Sequence, residues 1–321
     1  MENKIVIVLV LLVSLCIFAF SQEIRINNTT DWTRALDTIA NGGNNKSYTL
    51  IINGRIAVPG DYGVDDPNVA DFYAYSFSFG NTNNINVTLR GNGTLYLSSP
   101  GYMFRIKGGQ TFTIDSEQLT LQGLTTRLRG TVTNNHSSII DMMADSNHVG
   151  GNLNLINGTL NLNTIQNGGH GGAVTVGYGG TFTMSGGRIS ENMTIDTFGG
   201  GGVHVAYGGN FIMTGGIITS NISTTRDGTS GTGGGVCVMY GNFVKTGGII
   251  YGNNAAEGNE NLSTYGHAVY YITSAAHDGG YFFYCDNTLD STNNGNIRTT
   301  DTLPSRNGQT VGNWSRNTSP R

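Results

Sequence analysis

The fold is decided by the stretch GGGVHVAYGGNFIMTGGIITSN, residues 200–221. Apolar residues occupy alternate positions in VHV and FIM, and glycine pairs separate these segments. Alternation with a period of two predicts short β-strands, and paired glycines predict turns. A flexible linker has no apolar row in register, and a phosphate-binding loop needs a helix directly after it. The stretch therefore indicates three short strands joined by turns.

The same pattern recurs, so this stretch is one copy of a repeat. It is preceded by GGAVTVGYGGTFTMSGGRISEN at 171–192 and followed by GGGVCVMYGNFVKTGGIIYGN at 233–253, and a partial copy lies at 150–163. A single copy cannot bury its inward row, whereas stacked copies pair equivalent strands about 4.8 Å apart. We therefore predict an all-β fold, a right-handed, three-sided parallel β-helix (β-solenoid) of about eight rungs, with a short N-terminal capping helix.

Composition divides the chain into four segments. We predict a signal peptide at 1–21, an N-terminal cap with a short helix at 22–48, and the parallel β-helix at 49–289, with its regular repeats at 150–272. The polar segment 290–321 is expected to be a largely loose tail. A cap is expected because the open end of a solenoid exposes unpaired strand edges.

The first residues have the features of a cleaved secretory signal. Lys4 precedes a 16-residue apolar run, and Ala19 and Ser21 give a small-x-small pattern before Gln22. An uncleaved membrane anchor is the alternative, but the run is shorter than the roughly 20 residues that cross a bilayer. We expect an exported protein, secreted or at the cell surface, with no membrane span after cleavage. Its two remaining cysteines, Cys237 and Cys285, are too few for a disulfide framework.

One column of the repeat is asparagine. Asn163, Asn192, Asn221 and Asn253 each close the third strand of a copy. Asparagine tolerates turn geometry, and stacked amides can hydrogen-bond from one rung to the next. The spacing therefore predicts a structural asparagine ladder, with a ligand-binding role as the weaker alternative.

The outward positions supply a candidate binding face. If the valines of VHV point inward, His204 points outward beside Cys237, but a closed zinc site needs four ligands and no others are in line. The tyrosines at the first corner could stack on sugars or could simply support the turn. The outward isoleucines could contact a partner or be covered by another segment. The candidate face comprises His204, Tyr178, Tyr207, Tyr240, Ile212 and Ile217.

The loops supply a second candidate surface. The connections after Asn221 and Asn253 are longer than those after the earlier ladder positions. Stacked loops on one face of a repeat protein often bind a partner, although a tolerant corner also drifts in length. The one carboxylate-dense loop, Asp61 to Asp71, is expected to be a solvated loop.

No catalytic pattern stands out. The chain has no Ser-His-Asp order, no HExxH motif and no calcium nonapeptide. We therefore assign no catalytic, cofactor-binding or metal-binding residues and expect no cofactor. The net charge of −4 provides no basic field for nucleic acid. The oligomeric state is not indicated.

The repeat units resemble right-handed β-helix proteins of the pectin-lyase-like superfold that host-associated bacteria export to their surface. They are also similar to the GGA[ILV] and FxxN repeats of polymorphic outer-membrane proteins, with Ile189 and Ile218 where the phenylalanine stands. The resemblance is specific over 150–272 and looser from Thr49. It implies a non-catalytic, adhesin-like protein that presents stacked loops to a host or matrix protein or glycan. The superfold also contains polysaccharide lyases and hydrolases, so a carbohydrate-active enzyme and a passive coat protein are open alternatives.

Overall fold

The computed structural model describes residues 21–61, 77–125, 135–142, 149–166, 171–195, 198–272, 282–290, 297–298, 310–311 and 314–317. These residues form a parallel β-solenoid of about seven turns, which confirms the predicted fold class with one turn fewer than expected. The described residues include one helix, α1 (Thr29–Ala40). The predicted signal peptide lies outside the described residues, apart from Ser21.

The strands of the N-terminal half are β1 (Gln22–Ile26), β2 (Ser47–Ile52), β3 (Arg55–Val58), β4 (Ile85–Gly91), β5 (Thr94–Leu97), β6 (Phe104–Arg105), β7 (Gln110–Ile114), β8 (Thr120–Gln122), β9 (Ile140–Asp141), β10 (Asn152–Leu155), β11 (Thr159–Asn161) and β12 (Thr164–Gln166). Those that follow are β13 (Val174–Val176), β14 (Thr181–Met184), β15 (Arg188–Ser190), β16 (Met193–Ile195), β17 (Val203–Val205), β18 (Asn210–Thr219), β19 (Ile222–Thr224), β20 (Val236–Met239), β21 (Asn242–Ile250), β22 (Val269–Ile272), β23 (Phe282–Cys285), β24 (Ile297–Arg298), β25 (Thr310–Val311) and β26 (Trp314–Asn317).

The strands stack into four faces, which we number in chain order within one turn. Face 1 comprises β6, β9, β13, β17, β20 and β22. Face 2 comprises β1, β2, β4, β7, β10 and β14, continued by the first parts of β18 and β21. Face 3 comprises β3, β5, β8, β11 and β15, continued by the second parts of the same two strands, and face 4 comprises β12, β16 and β19. Neighbouring strands within these faces are parallel, so each turn lies directly on the one before it.

Face 4 is absent from the three-sided prediction. Its strands place Thr194 and Ser223 on the buried side, while Met193 and Ile222 lie partly exposed. A strand is recognised in sequence by apolar residues on its buried side. In β16 and β19 polar residues take that side, and β12 with its single inward Ile165 is too short to show a pattern, so the sequence gives no sign of the fourth strand.

The inward rows form one continuous core. Val203, Val205 and Ile218 are fully buried, as the alternation predicts. Phe211 stacks between the equivalent rings of the adjacent turns, with ring centroids 4.8 Å from Phe182 and 5.1 Å from Phe243. Burial of such side chains is the main stabilising contribution available to a solenoid.

Both ends of the solenoid are covered. Helix α1 lies over the N-terminal end and buries Trp32. The centroid of the Trp32 ring lies 5.2 Å from that of the Phe104 ring. At the other end β23 pairs antiparallel with β22, β26 pairs with β23, and β24 pairs antiparallel with β21. Two of these capping strands, β24 and β26, belong to the segment predicted to be largely loose, and β25 pairs with β26 in the same segment. Their backbone groups pair with strands at the end of the solenoid. Most of the segment lies outside the described residues, so the expectation stays a prediction for the rest of it.

The asparagine ladder is present at Asn163, Asn192 and Asn221. The Asn192 side-chain oxygen accepts the backbone N–H of Asn163 at 3.2 Å, and the Asn221 oxygen accepts that of Asn192 at 3.1 Å. The amide of Asn192 also donates to the Asn221 oxygen at 3.0 Å. The ladder begins one turn earlier than predicted, because Asn135 donates to the Asn163 oxygen at 2.9 Å.

The assignment of Asn253 to the ladder is wrong, because Asn261 takes that position. Asn253 is exposed, whereas the Asn261 oxygen accepts the backbone N–H and the amide of Asn221, both at 2.9 Å. The chain after β21 makes a loop over residues 251–260 before it rejoins the solenoid. Only then does Leu262 pair with Ile222. The extra length of this turn therefore lies before the ladder position and not after it.

Candidate functional site

Two tyrosines form an exposed stack at the corner between faces 1 and 2. The side chains of Tyr178 and Tyr207 are 59% and 64% exposed, and their rings are nearly parallel, with centroids 6.1 Å apart and an interplanar angle of 9°. Each ring belongs to one turn of the solenoid. The column is extended on the N-terminal side by Val149, also exposed, against which Gly179 packs. We call Val149, Tyr178 and Tyr207 the tyrosine corner.

Tyr240 stands apart from this stack. The third regular copy has lost one glycine, so Tyr240 occupies the left-handed backbone position, with φ of 59°, that Gly208 occupies with φ of 71° in the turn before. The carbonyl oxygen of Tyr240 accepts the N–H of Gly208, which fixes this equivalence. The side chain of Tyr240 is exposed, but it projects from the backbone position equivalent to Gly208, one residue after the position of Tyr207.

His204 does not belong to an exposed binding face, so this part of the prediction is wrong. Its side chain is 3% exposed. The other outward residues of face 1 are equally buried and lie in register with it: Thr175, Cys237 and Tyr270. The alternation correctly places them outside the core, but a second layer of chain covers them.

The cover is the glycine-rich segment that precedes the face-1 strands β13, β17 and β20. Gly171 donates its N–H to the Thr175 hydroxyl at 2.9 Å, and the thiol of Cys237 donates to the carbonyl oxygen of Phe198 at 3.7 Å. A Cβ atom at Gly200 would collide with the carbonyl oxygen of Val203. The glycines therefore allow backbone to lie flat on the outer side of the sheet, where a side chain has no room.

The same buried column contains an ion pair near its N-terminal end. Arg105 and Asp141 lie in register on β6 and β9, and the Arg105 Nε lies 3.5 Å from the Asp141 carboxylate. The guanidinium also lies 5.7 Å from the centre of the Tyr102 ring. Sequence reasoning missed this pair, because the two residues are 36 positions apart in irregular turns. Its burial indicates a structural role, since a dissolved ligand has no direct access to it.

The two isoleucines of the predicted binding face lie on different faces. Ile212 projects from face 2 and is 36% exposed, and Ile217 projects from face 3 and is half-buried. They therefore remain available at the surface, but they do not adjoin the tyrosine corner as one patch.

A groove runs beside the asparagine ladder, which we call the ladder groove. It has a volume of about 410 Å³ and is lined by the residues on either side of the ladder asparagines. The wall preceding the ladder comprises Leu162, Glu191, Ser220 and Glu260. The wall following it comprises Thr164, Met193, Ile222 and Leu262. Sequence reasoning missed the groove because it exists only where face 4 meets face 3.

The loop 251–260 closes one end of the ladder groove. The hydroxyl of Ser220 donates to the carbonyl oxygen of Gly258 at 2.7 Å, and its backbone N–H donates to that of Asn259 at 3.2 Å. These bonds hold Glu260 beside the groove. The long loop that the sequence suggested as a binding element therefore contributes a wall to a cavity.

A lysine is buried at the last regular turn. Lys245 occupies the inward position that Met184 and Met213 hold in the preceding turns, and it is fully buried. Burial lowers the pKa of its ammonium group, and the nearby Asp290 carboxylate opposes this change. Lys245 is the last residue of this inward row, and its backbone position is paired with the capping strand β24.

Other candidate chemistry is sparse in the described part of the chain. No group of three or more histidine, cysteine, aspartate or glutamate side chains there is arranged to hold a metal ion. Asp61 forms a bridge with Tyr102, and the rest of the Asp61 to Asp71 loop lies outside the described residues. No described helix is long and apolar enough to cross a membrane.

The fold places the chain in the class of parallel β-solenoid proteins. Comparison with known protein families, with curated proteins and with solved structures finds nothing that matches the chain. The class therefore stands on the stacking of the turns themselves.

Proposed function

We propose that this protein is an exported, non-catalytic binding module, adhesin-like, that presents its outer surface to a glycan or protein of a host or matrix. The observation that carries the proposal is the tyrosine corner. Two large aromatic rings held side by side at about 60% exposure are uncommon on a soluble protein unless they contact a partner.

The geometry of the corner supports this role. The rings of Tyr178 and Tyr207 are held in register by the backbone of successive turns, so little conformational freedom is lost when a partner binds. Tyrosine offers an apolar ring together with a hydroxyl group, which is why it is enriched where proteins meet partners. Val149 lengthens the apolar strip along the solenoid axis.

The sequence supports export. The apolar run and small-x-small pattern within residues 1–21 are those of a secretory signal. The resemblance of the repeats to polymorphic outer-membrane proteins supports placement at a bacterial surface. It also supports a role in contact with a host or matrix.

The test removes the rings and measures binding. The purified protein and its Tyr178→Ala/Tyr207→Ala variant are applied to a glycan array and to immobilised matrix proteins. We expect the variant to lose more than about tenfold in affinity, as when interface aromatics are truncated. Ile156→Ala, which removes another exposed apolar side chain from a different corner, should bind normally. Equal binding by the tyrosine variant and the wild type would contradict the proposal.

The same preparation distinguishes the alternatives. A carbohydrate-active enzyme would release unsaturated or reducing ends from a panel of polysaccharides, and such release would replace the proposed function. A passive coat protein would neither bind nor turn over any of these ligands.

A further inference from the structure

The rings of Tyr178 and Tyr207 are held beside each other by the backbone. Their centroids lie 6.1 Å apart and their planes differ by 9°. The turns that carry them are bonded next to the rings, since the Gly179 N–H donates to the Gly208 carbonyl oxygen at 3.0 Å. A Cβ atom at Gly208 would come within 2.5 Å of the Tyr178 ring, so this ring lies over the backbone of the next turn. Stacking of the turns therefore keeps the two phenols together.

Both rings are also open to solvent. Tyr178 and Tyr207 are 59% and 64% exposed, the two highest values among the exposed large apolar and aromatic side chains of the described residues. A dissolved oxidant can therefore reach both phenols, and water can take up the protons that oxidation releases.

A second tyrosine pair shows that proximity and access are separate properties. The ring centroids of Tyr265 and Tyr284 lie 5.8 Å apart, with an interplanar angle of 62°. Both side chains are half-buried, and the Tyr284 hydroxyl is hydrogen-bonded to Ser315. The pair at the tyrosine corner differs from this one because its phenols are both close together and well exposed.

Adjacent exposed phenols can be coupled by oxidation. A one-electron oxidant takes one electron and one proton from each hydroxyl group, which leaves two phenoxyl radicals with unpaired electron density on the ring carbons ortho to oxygen. Two such carbons form one C–C bond, and the hydrogen on each moves to the oxygen, which restores both aromatic rings. The net loss of two protons and two electrons reduces one hydrogen peroxide to two waters. Rings held together react with each other in preference to rings of other molecules.

We propose that Tyr178 and Tyr207 form a modification site, at which a peroxidase-type oxidant with hydrogen peroxide joins them as dityrosine. The bond connects residues 29 positions apart and fastens one turn of the solenoid to the next. The described cysteines form no disulfide, so this bond would be a covalent connection of a kind that they do not provide. The inference goes beyond the function proposed for the tyrosine corner and does not depend on it, because binding there is measured on unoxidised protein.

The first experiment locates the bond. The purified protein is treated at low concentration with a plant haem peroxidase and hydrogen peroxide, and the monomer is isolated by size-exclusion chromatography and digested with trypsin. Trypsin places Tyr178 in the peptide 130–188 and Tyr207 in the peptide 189–226, each as its only tyrosine. We expect mass spectrometry to find these peptides joined, lighter than their sum by two hydrogen atoms. Oxidised monomer that lacks the joined peptide would overturn the proposal.

The second experiment removes one hydroxyl group at a time. Tyr178→Phe and Tyr207→Phe should each abolish the joined peptide, because phenylalanine forms no phenoxyl radical. Tyr240→Phe is the matched control, because Tyr240 is 41% exposed at the same corner but projects from a different backbone position. This control should give the joined peptide in the wild-type yield. The assignment is overturned if either stack variant retains the joined peptide or if the control loses it.

Urea titration tests whether the bond fastens the turns. The oxidised wild type should unfold at a higher urea concentration than oxidised Tyr207→Phe, because a cross-link restricts the unfolded chain. Before oxidation the two proteins should unfold at nearly the same concentration, since the substitution removes one exposed hydroxyl group. A protein that contains the joined peptide but has an unchanged midpoint would overturn this stabilising role.

Discussion

At the scale of the residue, the ladder asparagines connect one turn to the next through side-chain bonds in a buried place. Asn261 donates to the carbonyl oxygens of Ile218 and Tyr251, at 3.0 and 2.6 Å, while its oxygen accepts two bonds from Asn221. Removing such a side chain leaves several buried groups unsatisfied at once. A ladder position is therefore more sensitive to truncation than its small apolar content suggests.

Asn261 is buried and Asn253 is exposed, so truncating each in turn tests which of the two holds the ladder position. Asn261→Ala should lower the free energy of unfolding by about 2–4 kcal/mol, because buried donors and acceptors lose their partners. Asn253→Ala should change it by less than about 0.5 kcal/mol, because Asn253 is exposed. Urea titration followed by circular dichroism measures both. The opposite ranking would show that Asn253 holds the ladder position.

At the scale of the element, β21 departs from its equivalents by a single inward side chain. The inward residues of β21 are compared with those of β14 and β18. Phenylalanine is in register in all three strands, whereas Lys245 replaces the methionine that the other two strands have at the next inward position. Burial lowers the pKa of Lys245 because the charged form is poorly solvated inside the solenoid. The strand retains its place because Phe243 and Ile250 keep their inward positions, although its pairing with β18 is irregular directly after Lys245.

Lys245→Met should remove a pH dependence of the free energy of unfolding, because methionine fits the row and carries no ammonium group for burial to desolvate. The sign with pH follows from the lowered pKa. The unfolded chain binds a proton up to about pH 10.5, so the wild type loses stability as pH falls from there to the folded pKa. The stability of the variant relative to the wild type should therefore be higher at pH 8 than above pH 10.5. Urea titrations at several pH values measure it.

The control for this prediction is Lys46→Met, which removes an exposed lysine. Its effect on stability should be small and nearly independent of pH. A stability difference between Lys245→Met and the wild type that is the same at pH 8 and above pH 10.5 would contradict the expectation.

At the scale of the whole molecule, the solenoid is finite because both its ends are closed. Parallel stacking leaves an open strand edge at each end, and such edges pair with other chains. Helix α1 covers the core at one end, and antiparallel strands complete the other. An antiparallel strand satisfies the edge without starting another parallel turn.

Removal of the C-terminal cap should therefore cause self-association. A chain ending at Asp290 lacks β24, β25 and β26, which leaves β21 and β23 without their antiparallel partners. Size-exclusion chromatography with light scattering should show mass rising with concentration, unlike a control shortened by residues 318–321. A truncated chain that has the same mass as the control at every concentration would contradict this role of the cap.

The sequence by itself determined the strands, the inward rows and the class of fold. Alternation in VHV and FIM is local, and repetition at similar spacing leaves few ways to bury the rows other than stacking. Most of the ladder followed from the same spacing. These features depend on neighbours within one copy or in the next, which is the range that a repeat pattern encodes.

Only the tertiary structure decided what the outward residues meet. His204 is outward by alternation, yet buried by a glycine-rich segment laid over its sheet, and Asn261 replaces Asn253 because a loop leaves the stack and returns. The same loop closes one end of the ladder groove against Ser220. Burial of an outward side chain depends on the path of segments without periodicity, and the stretch GGGVHVAYGGNFIMTGGIITSN therefore specified its strands but not their cover.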